Sequence, residues 1–324
     1  WWGLYSPYEP LMGVNDYGQI AAFLYQVGIK KRGIVWEPDG EVVELPMGSW
    51  SESAAHAVNA SGCVAGSVVG SGVQHAVRWE PDGSGGYVLR DIHFQSDWYQ
   101  TAGHGINDQG QVAGVGGYRP TQHWPHAFLW DPVEGTSNLG PYMGYDVNSR
   151  GEVVAKRAEG GYSHVYVRDA DGVWTDLHPG DPWGEMRAYR ISESGRVAGV
   201  MWRKGDTGGE GHAWLAWVSD GNVTLQDLHD PDAWGSSGAV AANDSGQVVG
   251  SGRWPHPGHA TIWDTTKGTH MDIHPPGWLS SYAESISDTG IVAGKCSTIT
   301  GEESLFRATP IAEQLPEGLA QEWL

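Results

Sequence analysis

Cysteine, phenylalanine and positive charge are all scarce in this 324-residue chain. The two cysteines, Cys63 and Cys296, lie far apart and no C-x-x-C occurs, which excludes a disulfide scaffold and a Cys-type zinc site. Lys and Arg number 19 against 39 Asp and Glu, so the net charge of −20 repels phosphate backbones and nucleic acid is not an expected partner. No apolar run is long enough to span a membrane, and no basic segment followed by an apolar one opens the chain. A start at Trp1-Trp2 is compatible with a removed leader, which leaves the compartment open between cytoplasm and exterior. G-x-S-x-G, P-loop, dinucleotide and H-E-x-x-H motifs are missing too. The expectation is therefore no organic cofactor and no metal.

Glycine, by contrast, is abundant at 48 residues, and its placement is periodic. One phrase recurs seven times: Asn or Ser, two turn residues, Gly, then small apolar residues. Its anchors are Asn15, Asn59, Asn107, Asn148, Ser192, Asn243 and Ser287. The paired glycines (18, 62, 110, 151, 195, 246 and 290) have a mean spacing of about 45 residues, a period typical of propeller blades. The third copy divides into four short strands: 102–107, 111–114 onward, 126–130 and 136–139. Tight turns at Asp108-Gln109-Gly110 and Asp131-Pro132-Val133-Glu134-Gly135 separate them. The prediction is an all-β chain forming one seven-bladed β-propeller domain over residues 1–324, with four antiparallel strands per blade. Either Trp1–Pro10 or Ile311–Leu315 is available to complete the last blade.

The pairing of Ile106-Asn107-Asp108-Gln109-Gly110-Gln111-Val112-Ala113-Gly114 with His126-Ala127-Phe128-Leu129-Trp130 resembles the HAF-repeat family of bacterial β-propeller-like proteins. His-Ala recurs at His75, His126, His212 and His259; His164-Val165 is looser, and blades 1 and 7 have Arg32-Gly33 and Glu303-Ser304 instead. The resemblance implies the fold and, for many members, an extracellular location. It implies no particular reaction.

Antiparallel strands put the Asn-x-x-Gly turns and the third-to-fourth turns on one face, where both are short and optimised for turning. The other face carries the second-to-third loops and the connections between blades, which differ in length and composition. Loops on a rigid scaffold are where binding residues concentrate. Those loops hold Trp98, Trp124, Trp183, Trp202, Trp234, Trp254 and Trp278, with Arg119, Arg187, Arg203 and Arg253 nearby. Eighteen Trp against four Phe is an unusual balance for a core, and Trp beside Arg suits a ligand with an apolar body and a polar end. Gap-filling between blades is the competing role for these rings.

A second phrase, Asp-apolar-His followed by Trp, recurs at Asp91/His93, Asp176/His178, Asp227/His229 and Asp272/His274. An Asp that orients a His is an acid–base arrangement, and it is equally a shared structural bond when repeated. The candidate catalytic residues are His178, Asp176, His229 and His123. Unequal loops favour one asymmetric pocket at one mouth of the propeller. The resulting expectation is a monomeric small-molecule-binding protein, a cofactor-independent cyclase, isomerase or lyase acting on a large apolar natural-product-like substrate. A lectin-like carbohydrate-binding propeller is the alternative, and it would repeat one site in every blade.

Overall fold

The computed structural model describes residues 12–24, 30–94, 98–118, 125–205, 209–253, 257–310 and 319–323. Within them every regular element is a strand, and 28 strands build seven four-stranded antiparallel sheets, each from four consecutive strands. The chain is all-β, a seven-bladed β-propeller. Among the described residues no helix is long and apolar enough to cross a membrane. Blade 3 shows the plan, with strands Trp98–Ile106, Val112–Tyr118, His126–Asp131 and Gly135–Gly140. The last blade is completed from the C-terminal side, where Leu319–Trp323 pairs with Glu303–Pro310. That strand lies just beyond Ile311–Leu315, which falls outside the described residues, as does Trp1–Pro10.

The chain forms two compact units, residues 1–157 and 158–324. In the first unit the recurring Asn explains both the turn and the tie to the next blade. Gly110 takes a positive φ of 78° that a side chain would disfavour, and its N–H donates to the Asn107 carbonyl. Asn107 Oδ1 accepts the Gln111 N–H, while its Nδ2 reaches the Asn148 carbonyl of the following blade at 2.9 Å. Asn15 donates to the Asn59 carbonyl and Asn59 to the Asn107 carbonyl, each also at 2.9 Å. In the second unit Asn243 makes the same bond to the Ser287 carbonyl. The phrase is thus a turn and a blade-to-blade tether in one side chain, and its buried amide has no water to replace a lost partner.

Packing explains the small residues that follow. The buried rings Trp79, Phe128, Trp214 and Phe306 of the third strands lie over Gly66, Gly114, Gly199 and Gly294 of the second strands. Trp36, Trp130 and Trp263 are likewise buried in their blades. Cys63 and Cys296 are buried free thiols, and burial pushes the Cys296 thiol up to about 12. Such a thiol is no nucleophile at neutral pH.

Candidate functional site

The Asp-x-His phrase forms a different pair from the one its spacing invites. Asp176 Oδ2 bonds His164 Nδ1 of the third strand at 2.8 Å, and Asp176 Oδ1 accepts the backbone N–H of His178. The His178 ring folds back and stacks on His164 at 3.9 Å between centroids. Blades 2, 5 and 6 repeat this with Asp91 between His75 and His93, Asp227 between His212 and His229, and Asp272 between His259 and His274. In those three blades the second imidazole bonds a hydroxyl of the following blade: Thr101, Ser237 or Ser281. Each hydroxyl oxygen also accepts a backbone N–H, from Ala76, Ala213 or Ala260. Blade 1 substitutes Arg32 paired with Glu44 at 3.2 Å and keeps the hydroxyl contact through Ser53. Blade 3 uses His126 and Asn138. The clasp fastens blade to blade. Burial, and then the neighbouring first imidazole, lowers the pKa of His93 and of His229.

Trp98, Trp183 and Trp202, expected in loops, lie on strands, and the tryptophans of the candidate face separate into two environments. Trp98 is buried, packed on Phe94 and Phe128, and a Cβ on Gly116 would overlap its ring. Trp234 lies edge-on to Trp263, in the place a side chain on Gly252 would take. Trp278 packs on the core of blade 7, and Arg253 sits over Tyr282. At blade 5 the arrangement is more open. Arg203 lies over Trp183 at 5.7 Å, and Arg187 lies over Trp202 at 5.2 Å with Glu185 at 3.3 Å from its Nε. Trp202 and Arg203 are successive residues of one strand, so the two pairs lie on opposite sides of the ladder. Trp183 meets His212 edge-on at 4.9 Å, and His178 Nε2 meets the Gly184 carbonyl at 2.9 Å. His178, Trp183, Arg187, Trp202 and Arg203 therefore come together around the head of blade 5, whereas Trp98, Trp234 and Trp278 each fill a different blade. His123, Trp124, Arg119 and Trp254 lie outside the described residues.

A further set of residues is legible only in three dimensions. The first strand of six blades carries a β-bulge, with one extra residue unpaired against the second strand. Those residues are His56, His104, Tyr145, Tyr189, Val240 and Glu284, always three before the Asn or Ser of the recurring phrase. The framework repeats around them while the residue itself changes along the chain, from His to Tyr to Val and Glu. In the first unit they make a continuous arc. His56 and His104 rings lie 5.7 Å apart, His104 stacks on Tyr145 at 5.7 Å, and Lys156 Nζ sits 5.4 Å from the Tyr145 ring centre. His56 Nδ1 bonds the Gly103 carbonyl at 2.8 Å and His104 Nδ1 bonds the Gly144 carbonyl at 2.9 Å. A carbonyl only accepts, so Nδ1 carries the proton and Nε2 is the basic nitrogen of each neutral ring. In the second unit the bulge residue Glu284 is buried against Lys295 at 2.8 Å. Burial alone would lower the Lys295 pKa, yet Glu284 beside it leaves the value raised. The sequence signal that would have found this set is its fixed offset from the repeat anchor combined with blade-to-blade variation.

No family model and no curated protein matches the chain. Among solved structures it is similar to an oligogalacturonate lyase in complex with manganese, with a TM-score of 0.61 and 11% identity over 93% of this chain and 91% of that one. The β-propeller domain of the Trilobed protease from Pyrococcus furiosus gives a TM-score of 0.59 at 14% identity, covering 91% of both chains. TolB from Acinetobacter baumannii gives 0.53 at 14% identity, and the match covers 81% of this chain and 65% of TolB. Similarity at this identity establishes the shared propeller fold and carries no activity across.

Proposed function

We propose that the protein is a small-molecule-binding propeller of the HAF-repeat type, a cofactor-independent enzyme of the isomerase, lyase or cyclase class. Its acid–base groups are those of the first-strand arc. The observation that carries this reading is the run His56, His104 and Tyr145 at the bulge positions, with Lys156 of the adjoining second strand over the Tyr145 ring. Two imidazoles with fixed Nδ1 protons supply bases through Nε2. The Tyr145 hydroxyl and the Lys156 ammonium supply donors for an oxyanion that develops as a proton leaves a carbon next to a carbonyl. The flat faces of these rings with the Lys156 ammonium beside them suit an aromatic or polycyclic substrate with a carbonyl or carboxylate end, natural-product-like in character. In this reading the repeated Asp-His clasps are framework.

The test uses aromatic and polycyclic ketones and carboxylates as probes, with binding followed by calorimetry. His104→Gln and Lys156→Met are each expected to weaken the best probe at least tenfold, a loss of about 1.4 kcal/mol. His259→Ala, in the clasp of blade 6, is expected to leave affinity unchanged while lowering thermal stability. Equal affinity in the wild type and both arc variants would remove the assignment.

A further inference from the structure

We infer that Glu210, His212 and His229 form a divalent-metal site at the loop end of blade 5, with donors best matched to Zn2+. This inference is independent of the first-strand arc. The three side chains offer ligand atoms all within 4.8 Å of one another. They come from three places: the second-to-third connection, the head of the third strand, and the segment after the fourth strand. No sequence spacing announces such a site.

What sets blade 5 apart is visible against its sister clasps. In blade 6 the His274 Nε2 is taken by the Trp278 carbonyl at 3.0 Å, and in blade 4 His178 Nε2 is taken by the Gly184 carbonyl. A carbonyl there requires a proton on Nε2, which closes that nitrogen to a cation. In blade 5 the same nitrogen of His229 faces the Glu210 carboxylate at 3.3 Å. The paired rings also fan apart, to 39° in blade 5 against 14°, 12° and 7° in blades 2, 4 and 6. That opening admits Glu210 beside the two imidazoles.

The outer partners are those that a metal-binding imidazole needs. Asp227 holds His212 Nδ1 at 2.8 Å and Ser237 Oγ holds His229 Nδ1 at 2.9 Å, which directs Nε2 of each ring to the cation. Two imidazoles and one carboxylate with an open fourth position are a zinc donor set, the fourth position taking water or an anionic ligand. Ligands about 2.1 Å from Zn2+ stand about 3.4 Å apart in a tetrahedron, so the His229–Glu210 pair, at 3.3 Å, already has that spacing and the widest separation, within 4.8 Å, must close to it. The Glu210 side chain is 53% exposed, the most accessible of the three, and it is the one that can swing inward.

The experiment uses the untagged full chain stripped of metal, titrated with ZnCl2 in a calorimeter and with CoCl2 in an absorption spectrometer. Wild type is expected to take up one Zn2+ per chain with micromolar or tighter affinity and to show the visible bands of four-coordinate Co2+. Glu210→Gln, outside the hydrogen-bonded clasp, is expected to weaken Zn2+ at least tenfold with its metal-free melting temperature unchanged. His104→Gln and His274→Gln are expected to bind Zn2+ as the wild type does. Wild type that binds no tighter than millimolar, or Glu210→Gln that binds equally well, overturns the site.

Discussion

Gly114→Ala is expected to destabilise the protein by about 4 kcal/mol, whereas Gly117→Ala, three residues along the same strand, should stay within about 0.5 kcal/mol of wild type. A Cβ on Gly114 would overlap the Ala102 carbonyl oxygen and stand 2.7 Å from the Phe128 ring, while nothing lies within 4 Å of a Cβ on Gly117. The obstacle is backbone, brought close by the bulge at His104, so no side-chain rotation relieves it. Gly114 pairs directly with Phe128. In blade 1 the equivalent residue is Ala22, and its partner is Ile34, which is smaller than a ring. Urea denaturation of the two variants checks this. Coincident midpoints would mean that the bulge does not press the two strands together as described.

Glu284→Ala is expected to cost about 3 kcal/mol, because it removes the carboxylate that bonds the largely buried Lys295 ammonium and leaves Glu303 as the other acidic neighbour. The Glu284 side chain is only 6% exposed and that of Lys295 34%, so the figure belongs at the lower end of what breaking a buried pair costs. The double variant Glu284→Leu with Lys295→Met is expected to recover most of the loss, since neither charge is then left without its partner. Chemical denaturation of the three proteins gives the coupling. A double variant as unstable as Glu284→Ala would show that Glu284 acts through other contacts.

Much of the architecture was legible because turn chemistry is local. Asn107, Gly110 and the Val112-Ala113-Gly114 run marked two strands and the turn between them, and the observed strands of blade 3 agree with the predicted ones within a few residues. The partners of repeated side chains were not legible. The sequence spacing pairs Asp176 with His178, yet the carboxylate reaches across the sheet to His164, because the fourth strand lies beside the third. The tryptophans were conspicuous by number, but whether a ring fills a gap depends on a glycine such as Gly116 or Gly252 that is distant in sequence. His56 and His104 escaped notice because a bulge, which no local signal marks, sets them apart from their strand neighbours. Glu210 was missed since its partners His212 and His229 lie on two other elements.

The central claim is that binding chemistry sits where the repeat breaks and that the repeated clasps are framework. Its most direct measurement is the number of ligand sites per chain, by calorimetry with the tightest aromatic carboxylate probe and in parallel with galacturonic acid and neutral sugars. One site per chain for the apolar probe, with no saturable sugar binding, is the predicted result. Four or more equivalent sugar sites, one for each Asp-His clasp, would contradict it and turn the repeated clasps themselves into the binding elements of a lectin.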